Sequence, residues 1–231
     1  QKTRDREAGP RVAYLVRDLD DKVQSAAIET VGLLRTKDAL PSLRNIIANP
    51  RNKNAERSAL AALALMPDPG DRPLLLSYIN AKEDKMRAFA AEGLGRIGDP
   101  ADQPALERVW REEEKMLPRL AAAFGLTMYG NLDSGEEAPF RYLLNTLNSA
   151  AYRETAQAYL LEAARRNDVR NALYKPLEQG TRDEKIQLSR ILAASGDAAS
   201  IPFLEKTSRD TDSEVAQEGL RALRSLRARL N

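Results

Sequence analysis

Apolar residues recur along this chain on two scales at once. Locally they step by three and four residues, as in Met86, Phe89, Ala90, Leu94 and Ile97, which places them on one stripe of an α-helix. Over longer distances one position repeats. Val31, Leu63, Leu94, Leu126, Leu160, Leu192 and Leu223 follow one another at intervals of 32, 31, 32, 34, 32 and 31 residues. A fixed spacing in the range of about 20 to 50 residues marks an array of supersecondary units that bury their apolar faces only by stacking on neighbours.

Each unit reads as two helices. After the stripe from Met86 to Ile97, Gly98 stops the first helix, because glycine takes the left-handed conformation at a C-terminus without steric cost. Asp99 follows as a loop or capping residue, and Pro104 sits where an early helical turn tolerates a missing N–H. The same order returns elsewhere. Pro10, Pro41, Pro73 and Pro104 lie 31, 32 and 31 residues apart, an independent check on the period. The pattern predicts an orphan second helix over 5–17, pairs at about 21–49, 53–80, 84–111, 116–148, 151–179 and 183–208, and a terminal first helix over 212–229. Residues 1–231 form one array in this reading, all-α, with about 14 helices in about seven pairs and no strands.

Composition narrows the chemistry more than it names it. The 231 residues contain no histidine and no cysteine, which removes disulfides, thiolate nucleophiles, ordinary zinc sites and the commonest proton-transfer side chain. No catalytic constellation, cofactor site or metal site is expected. With 36 basic and 34 acidic residues, the overall charge does not point to nucleic acid, whose binding needs a clustered basic footprint that near-neutral arithmetic neither shows nor excludes. No apolar run reaches the roughly 18 residues of a membrane span, so a soluble chain is expected, cytoplasmic or exported after removal of an upstream signal.

The motifs that invite sharper readings have structural ones beside them. Gly93-Leu94-Gly95-Arg96-Ile97-Gly98 matches G-x-G-x-x-G, yet it ends a helix where a dinucleotide fingerprint would lie between a strand and a helix. Asp18, Asp20 and Asp21, and likewise Glu112, Glu113 and Glu114, sit between repeats, where carboxylates complement helix N-termini. The stretch 130–137 is about three residues longer than its counterparts and rich in oxygen ligands, without the spacing of a calcium loop; it reads as a solvated loop, or else as a metal or partner site. Trp110 aligns with Ile47 and Ile79 and belongs in the seam. The basic run Arg221, Arg224, Arg227 and Arg229 suits the C-terminal end of a helix dipole.

Taken together, Met86-Arg87, Ala90-Ala91, Leu94-Gly95 and Ile97-Gly98-Asp99 resemble the HEAT-like repeats of the phycobilisome-lyase type, whose units run D-x-x-V-R-x-x-A-A-x-A-L-G-x-I-G-D before a proline-bearing second helix. That resemblance implies a right-handed α-solenoid whose second helices line a concave face, and it implies that Arg87, Arg119 and Arg153 are rungs bridging adjacent repeats. It leaves function open. Families of this kind include adaptors, scaffolds, bilin lyase subunits and a hydroxylase that binds iron through His-Glu pairs, a branch that a chain without histidine does not fit.

Function is expected on the second helices, at Arg44, Asn45, Leu76, Arg108, Arg111, Arg141, Tyr142, Lys175 and Lys206, joined by Ser42, Ser77, Glu107 and Glu205. Mixed charge with Leu76 and Tyr142 as apolar anchors suits a protein or peptide partner. The leading expectation is a non-enzymatic binding or scaffolding module. A lyase-like or chaperone-like subunit holding a bilin-type chromophore or its acceptor protein is the alternative, and non-specific nucleic-acid binding trails both. Orphan helices at the two ends also raise the possibility of end-to-end self-association.

Overall fold

The computed structural model describes residues 7–230. Its helices follow the repeat. An opening helix α1 (Ala8–Val12), continued by a 3-10 segment at Ala13–Arg17, is followed by α2 (Asp21–Leu34), α3 (Leu40–Ala48), α4 (Lys53–Ala64), α5 (Arg72–Tyr78), α6 (Asp84–Ile97) and α7 (Gln103–Glu112). Then come α8 (Met116–Met128), α9 (Pro139–Thr146), α10 (Arg153–Ala163), α11 (Asn167–Ala172), α12 (Tyr174–Gln179), α13 (Arg182–Ser195), α14 (Ile201–Thr207) and α15 (Ser213–Leu230). Among the described residues there is no strand. Residues 5 and 6, the proposed start of the orphan helix, lie outside the described residues.

Among the described residues, fifteen α-helices stand where about fourteen are expected, because the second helix of the fifth pair is divided into α11 and α12. Pro176 accounts for the division. It has no N–H to donate to the carbonyl of Ala172, four residues back, and Leu173 instead donates to Arg170 in a tighter turn.

Contacts gather into two compact units, residues 1–125 and 126–231. The first holds three complete pairs, α2 to α7, and the first part of α8. The second holds α9 to α15. In both, the periodic position is the core: Val31, Leu63, Leu94, Leu126, Leu160, Leu192 and Leu223 are all 5% exposed or less.

Small residues beside that position set the spacing of first helices within the first unit. A Cβ on Gly32 would meet the Ala62 backbone at 2.9 Å, and one on Gly95 would meet the Gly125 Cα at 2.5 Å. Such approach distances leave no room for a side chain. The G-x-G-x-x-G run is thereby explained: Gly93 faces Leu75, Gly95 faces Gly125, and Gly98 closes the helix at φ +73°.

Short 3-10 turns join first to second helices at Pro69–Asp71, Pro100–Asp102 and Ala198–Ser200. Each is preceded by a capping aspartate whose carboxylate accepts from a backbone N–H two residues on: Asp68 from Gly70, Asp99 from Ala101 and Asp197 from Ala199. Proline then opens the second helix within its first two positions in α3, α5, α7 and α14, where the missing donor costs nothing.

Candidate protein-binding surface

Within each unit, charged side chains in two ladders tie neighbouring repeats together, and they decide which second-helix residues are left for a partner. The first ladder runs from second helices to the D-P-x-D turns. Arg44 on α3 donates from Nε to Asp71 at 2.6 Å and from Nη2 to Asp68 at 2.9 Å. Arg72, at the start of α5, donates from Nε to both oxygens of Asp102 at 2.8 Å and lies 3.2 Å from Asp99. The inner carboxylates are buried, with side chains 3% and 1% exposed at Asp71 and Asp102, so a fixed guanidinium fork is what keeps their charge tolerable there. The bond to Asp71 raises the Arg44 pKa above its ordinary value, with burial opposing and Asp68 assisting. The N–H of Gly70, followed by Arg44, holds the Asp68 carboxyl below the usual range.

In the second unit the ladder changes chemistry without changing place. Arg170 on α11 pairs with Asp197 at 2.5 Å. Ser200 occupies the inner acidic position and shares a 3.0 Å hydrogen bond with the hydroxyl of Tyr174, whose ring stacks on Phe203 at 3.9 Å between centroids.

The second ladder starts on the first helices. Arg87 donates to Glu113 at 2.6 Å and to the carbonyls of Ala81 and Lys82. Arg153 donates to Asp183 at 2.6 Å and to the Leu147 carbonyl. These are the rungs expected at that arginine. Burial pushes the Glu113 carboxyl up, but the Arg87 bond and the Lys115 N–H outweigh it and leave the group below its ordinary value. The Arg119 guanidinium lies over the Trp110 ring, 4.6 Å from the centroid, a cation–π contact. Trp110 is 9% exposed, in the seam as its alignment implies.

Several expected partner residues are therefore spent on the scaffold. Arg44 belongs to the first ladder, and Lys206 pairs with Glu178 at 2.9 Å. Arg141 grips the fully buried carboxylate of Glu184 at 3.1 and 3.3 Å, with Asn148 adding a third donor at 3.0 Å. Leu76, Arg108 and Tyr142 are half-buried, whereas Asn45, Arg111 and Lys175 are exposed. The acidic runs also have structural roles: Asp20 caps α2 through the N–H groups of Lys22 and Val23, and Asp21 pairs with Arg51. In the basic run, Arg221 pairs with Glu218 and Arg227 with Glu205. Among the described residues no group of three or more His, Cys, Asp or Glu could hold a metal ion, and no helix is long and apolar enough to cross a membrane.

Within the second unit, a concavity of about 500 Å³ brings the scaffold-bound Arg141 together with polar residues that have no such role. Arg141 from α9 and Lys175 from α12 meet there, beside Asn171 and Gln179. Leu132 and Ser134 of the long loop also line it, as do Ala172 and Pro176, which with Leu132 give the lining an apolar part. Lys175 has no carboxylate partner among the described residues. Arg141 and Lys175 were legible from the repeat alignment. Asn171 and Gln179 were not singled out there, although with Lys175 they fall at four-residue steps along one helical face, a signal the alignment did contain.

The HEAT-repeat family matches residues 45–127. Over 97% of this chain and 85% of the other, the fold superposes on a chain of the CpcE–CpcF complex of phycocyanin lyase from Nostoc sp. PCC7120, with a TM-score of 0.62 and 17% identity. Human deoxyhypusine hydroxylase in complex with glycerol aligns at 18% identity over 96% of this chain and 85% of its own, with a TM-score of 0.40. An engineered protein aligns at 17% identity over 95% and 96%, with a TM-score of 0.34; neither of these two superpositions adds to the fold assignment. No curated protein matches the chain in sequence. Residues 45–127 thus match HEAT repeats in sequence, and the two-helix unit they contain recurs through the rest of the described residues.

Proposed function

We propose that this chain is a non-enzymatic binding module that presents its second helices to a protein partner. The observation that carries the reading is the concavity beside α9 and α12, where polar side chains not consumed by the ladders converge on an apolar wall. Sites that combine a few placed polar groups with apolar lining are the usual form of a recognition pocket. A chain without histidine or cysteine has little with which to move protons or form covalent intermediates near neutral pH. The likeness in fold to a subunit found in a two-protein complex supports a protein as the partner.

The test is affinity capture from the native source with mass-spectrometric identification, repeated with Lys175→Glu in the second unit and with the pair Arg108→Glu and Arg111→Glu in the first. Charge reversal at an exposed interface alters association and leaves folding intact. A partner lost with one of these variants, at unchanged helicity, supports the reading and assigns the unit. Equal capture by wild type and both variants refutes it for the second-helix surface.

The second reading is a lyase-like or chaperone-like subunit that holds a bilin-type chromophore or its acceptor protein, favoured by the phycocyanin-lyase likeness alone. Visible absorbance that travels with the protein after incubation with a bilin would support it. Non-specific nucleic-acid binding is disfavoured because Arg44, Arg72, Arg87, Arg141, Arg153 and Arg170 are each committed to a carboxylate and are not free to meet phosphates.

A further inference from the structure

The concavity of the second unit is specific in what it offers. Asn171, Lys175 and Gln179 follow one another at four-residue steps along the divided helix α11–α12, all exposed and all lining the same space. An ammonium group thus stands between two carboxamides. Each carboxamide can donate and accept at once, which is what a peptide group requires of a partner, while the ammonium can only donate. In the same concavity Arg141 keeps its place through Glu184, which also accepts from Asn148, so a guanidinium already held in position borders the space. Leu132 of the long loop and Pro176 supply apolar contact in the same lining.

Charge decides what fits. Glu184 already neutralises Arg141, and no acidic residue lines the concavity, so Lys175 leaves it with one uncompensated positive charge. About 500 Å³ lies within the range of roughly 300 to 1,000 Å³ found for ligand sites, enough for a few residues of extended chain.

We infer that this concavity binds an acidic, extended peptide segment of a partner protein, with a carboxylate side chain on Lys175 and main-chain amides on the carboxamides of Asn171 and Gln179. The inference rests on the reading of the chain as a protein-binding module and names the chemistry of the segment it takes. Asn171 and Gln179 set the direction of the peptide, Lys175 selects its charge, and the long loop closes one side.

Titration of the ¹⁵N-labelled chain with acetyl-Ala-Glu-Ala-Glu-Ala-amide, followed by amide chemical shifts, tests this directly. The expected result is a saturable shift confined to residues 132–134 and 171–181, absent with the glutamine counterpart peptide, and weakened about tenfold or more by Lys175→Glu. Asn171→Ala with Gln179→Ala weakens the peptide but leaves the binding of free glutarate unchanged. No shift by about 5 mM peptide, beyond the millimolar range of weak recognition, overturns the inference, as does equal binding of the glutamine peptide. Glutarate binding as tightly as the peptide also overturns it and assigns the site to a small free carboxylate. Peptide failure alongside partner capture that is sensitive to Lys175→Glu would sink this inference alone, whereas peptide binding with no partner captured would sink the module reading.

Discussion

Replacing Gly95 by alanine isolates the term that sets the distance between first helices. Gly95 lies inside α6 at negative φ, so alanine there is conformationally welcome and by propensity stabilises the helix by about 0.5–1 kcal/mol. Against this stands the Cβ itself, which would sit 2.5 Å from the Gly125 Cα, where non-bonded carbons prefer about 3.5–4.0 Å. The obstacle is backbone, so no rotamer change relieves it, and α6 and the start of α8 must separate by roughly 1 Å. Overpacking of this kind costs about 1–3 kcal/mol, with contacts around Leu94 lost on top. The net expectation is destabilisation by about 1–2 kcal/mol, a fall in melting temperature of roughly 2–8 °C at about 2–4 °C per kcal/mol for a chain of this length. Gly125→Ala is the internal comparison. Its Cβ would meet the Leu106 Cδ1 at 2.8 Å and the Gly95 Cα at 3.4 Å; a leucine methyl can turn aside, so the loss should be smaller. Thermal melts followed by circular dichroism measure both. A Gly95→Ala protein that melts at or above the wild-type temperature would show that the helices do not meet through this pair.

Leu94→Ala, which removes a fully buried side chain at the periodic position, should cost about 2–5 kcal/mol in denaturant unfolding, and a loss below about 0.5 kcal/mol, typical of surface sites, contradicts the core assignment. Arg72→Ala strands the buried Asp102 carboxylate; because Arg72 is itself partly exposed, a loss of about 2 kcal/mol is expected, below that for a fully buried pair, and Asp102→Asn in the same background should recover part of it. Acid should weaken the fold through Asp68, Asp168 and Asp210, whose pKa values are lowered chiefly by the Gly70 N–H, Arg166 and Lys185 respectively, and through Glu113. Their contribution is complete above the unfolded carboxylate values of about 4 and is lost as pH falls through the lower folded values, so a melting temperature unchanged between about pH 5 and pH 3 would contradict it. For self-association, Tyr14, Leu19 and Val23 near the start and Leu220 and Leu230 on α15 are exposed; sedimentation should show mass rising with concentration, and a constant monomer mass removes the proposal.

How much of this was open to reading from residues alone follows from the range of each interaction. Helix order, the buried leucines and the helix-closing Gly98 are written in spacings of three to four residues and one period of about 32, and both survive without knowledge of the stack, because each reflects which side of a helix must leave water. The fate of the charged side chains is different. Arg44, Arg141 and Lys175 look alike on aligned second helices, yet Asp71 lies 27 residues from Arg44 and Glu184 lies 43 from Arg141, while Lys175 has no such carboxylate among the described residues. Whether a basic residue belongs to the scaffold or to a partner depends on the register between neighbouring helices, which brings a carboxylate within 3 Å or leaves it out of reach. The long loop is a similar case: its extra residues are countable in the sequence, but only the folded second unit places Leu132 and Ser134 beside α12. Local periodicity determines what is buried, whereas stacking decides which polar groups remain free, since their partners come from other repeats.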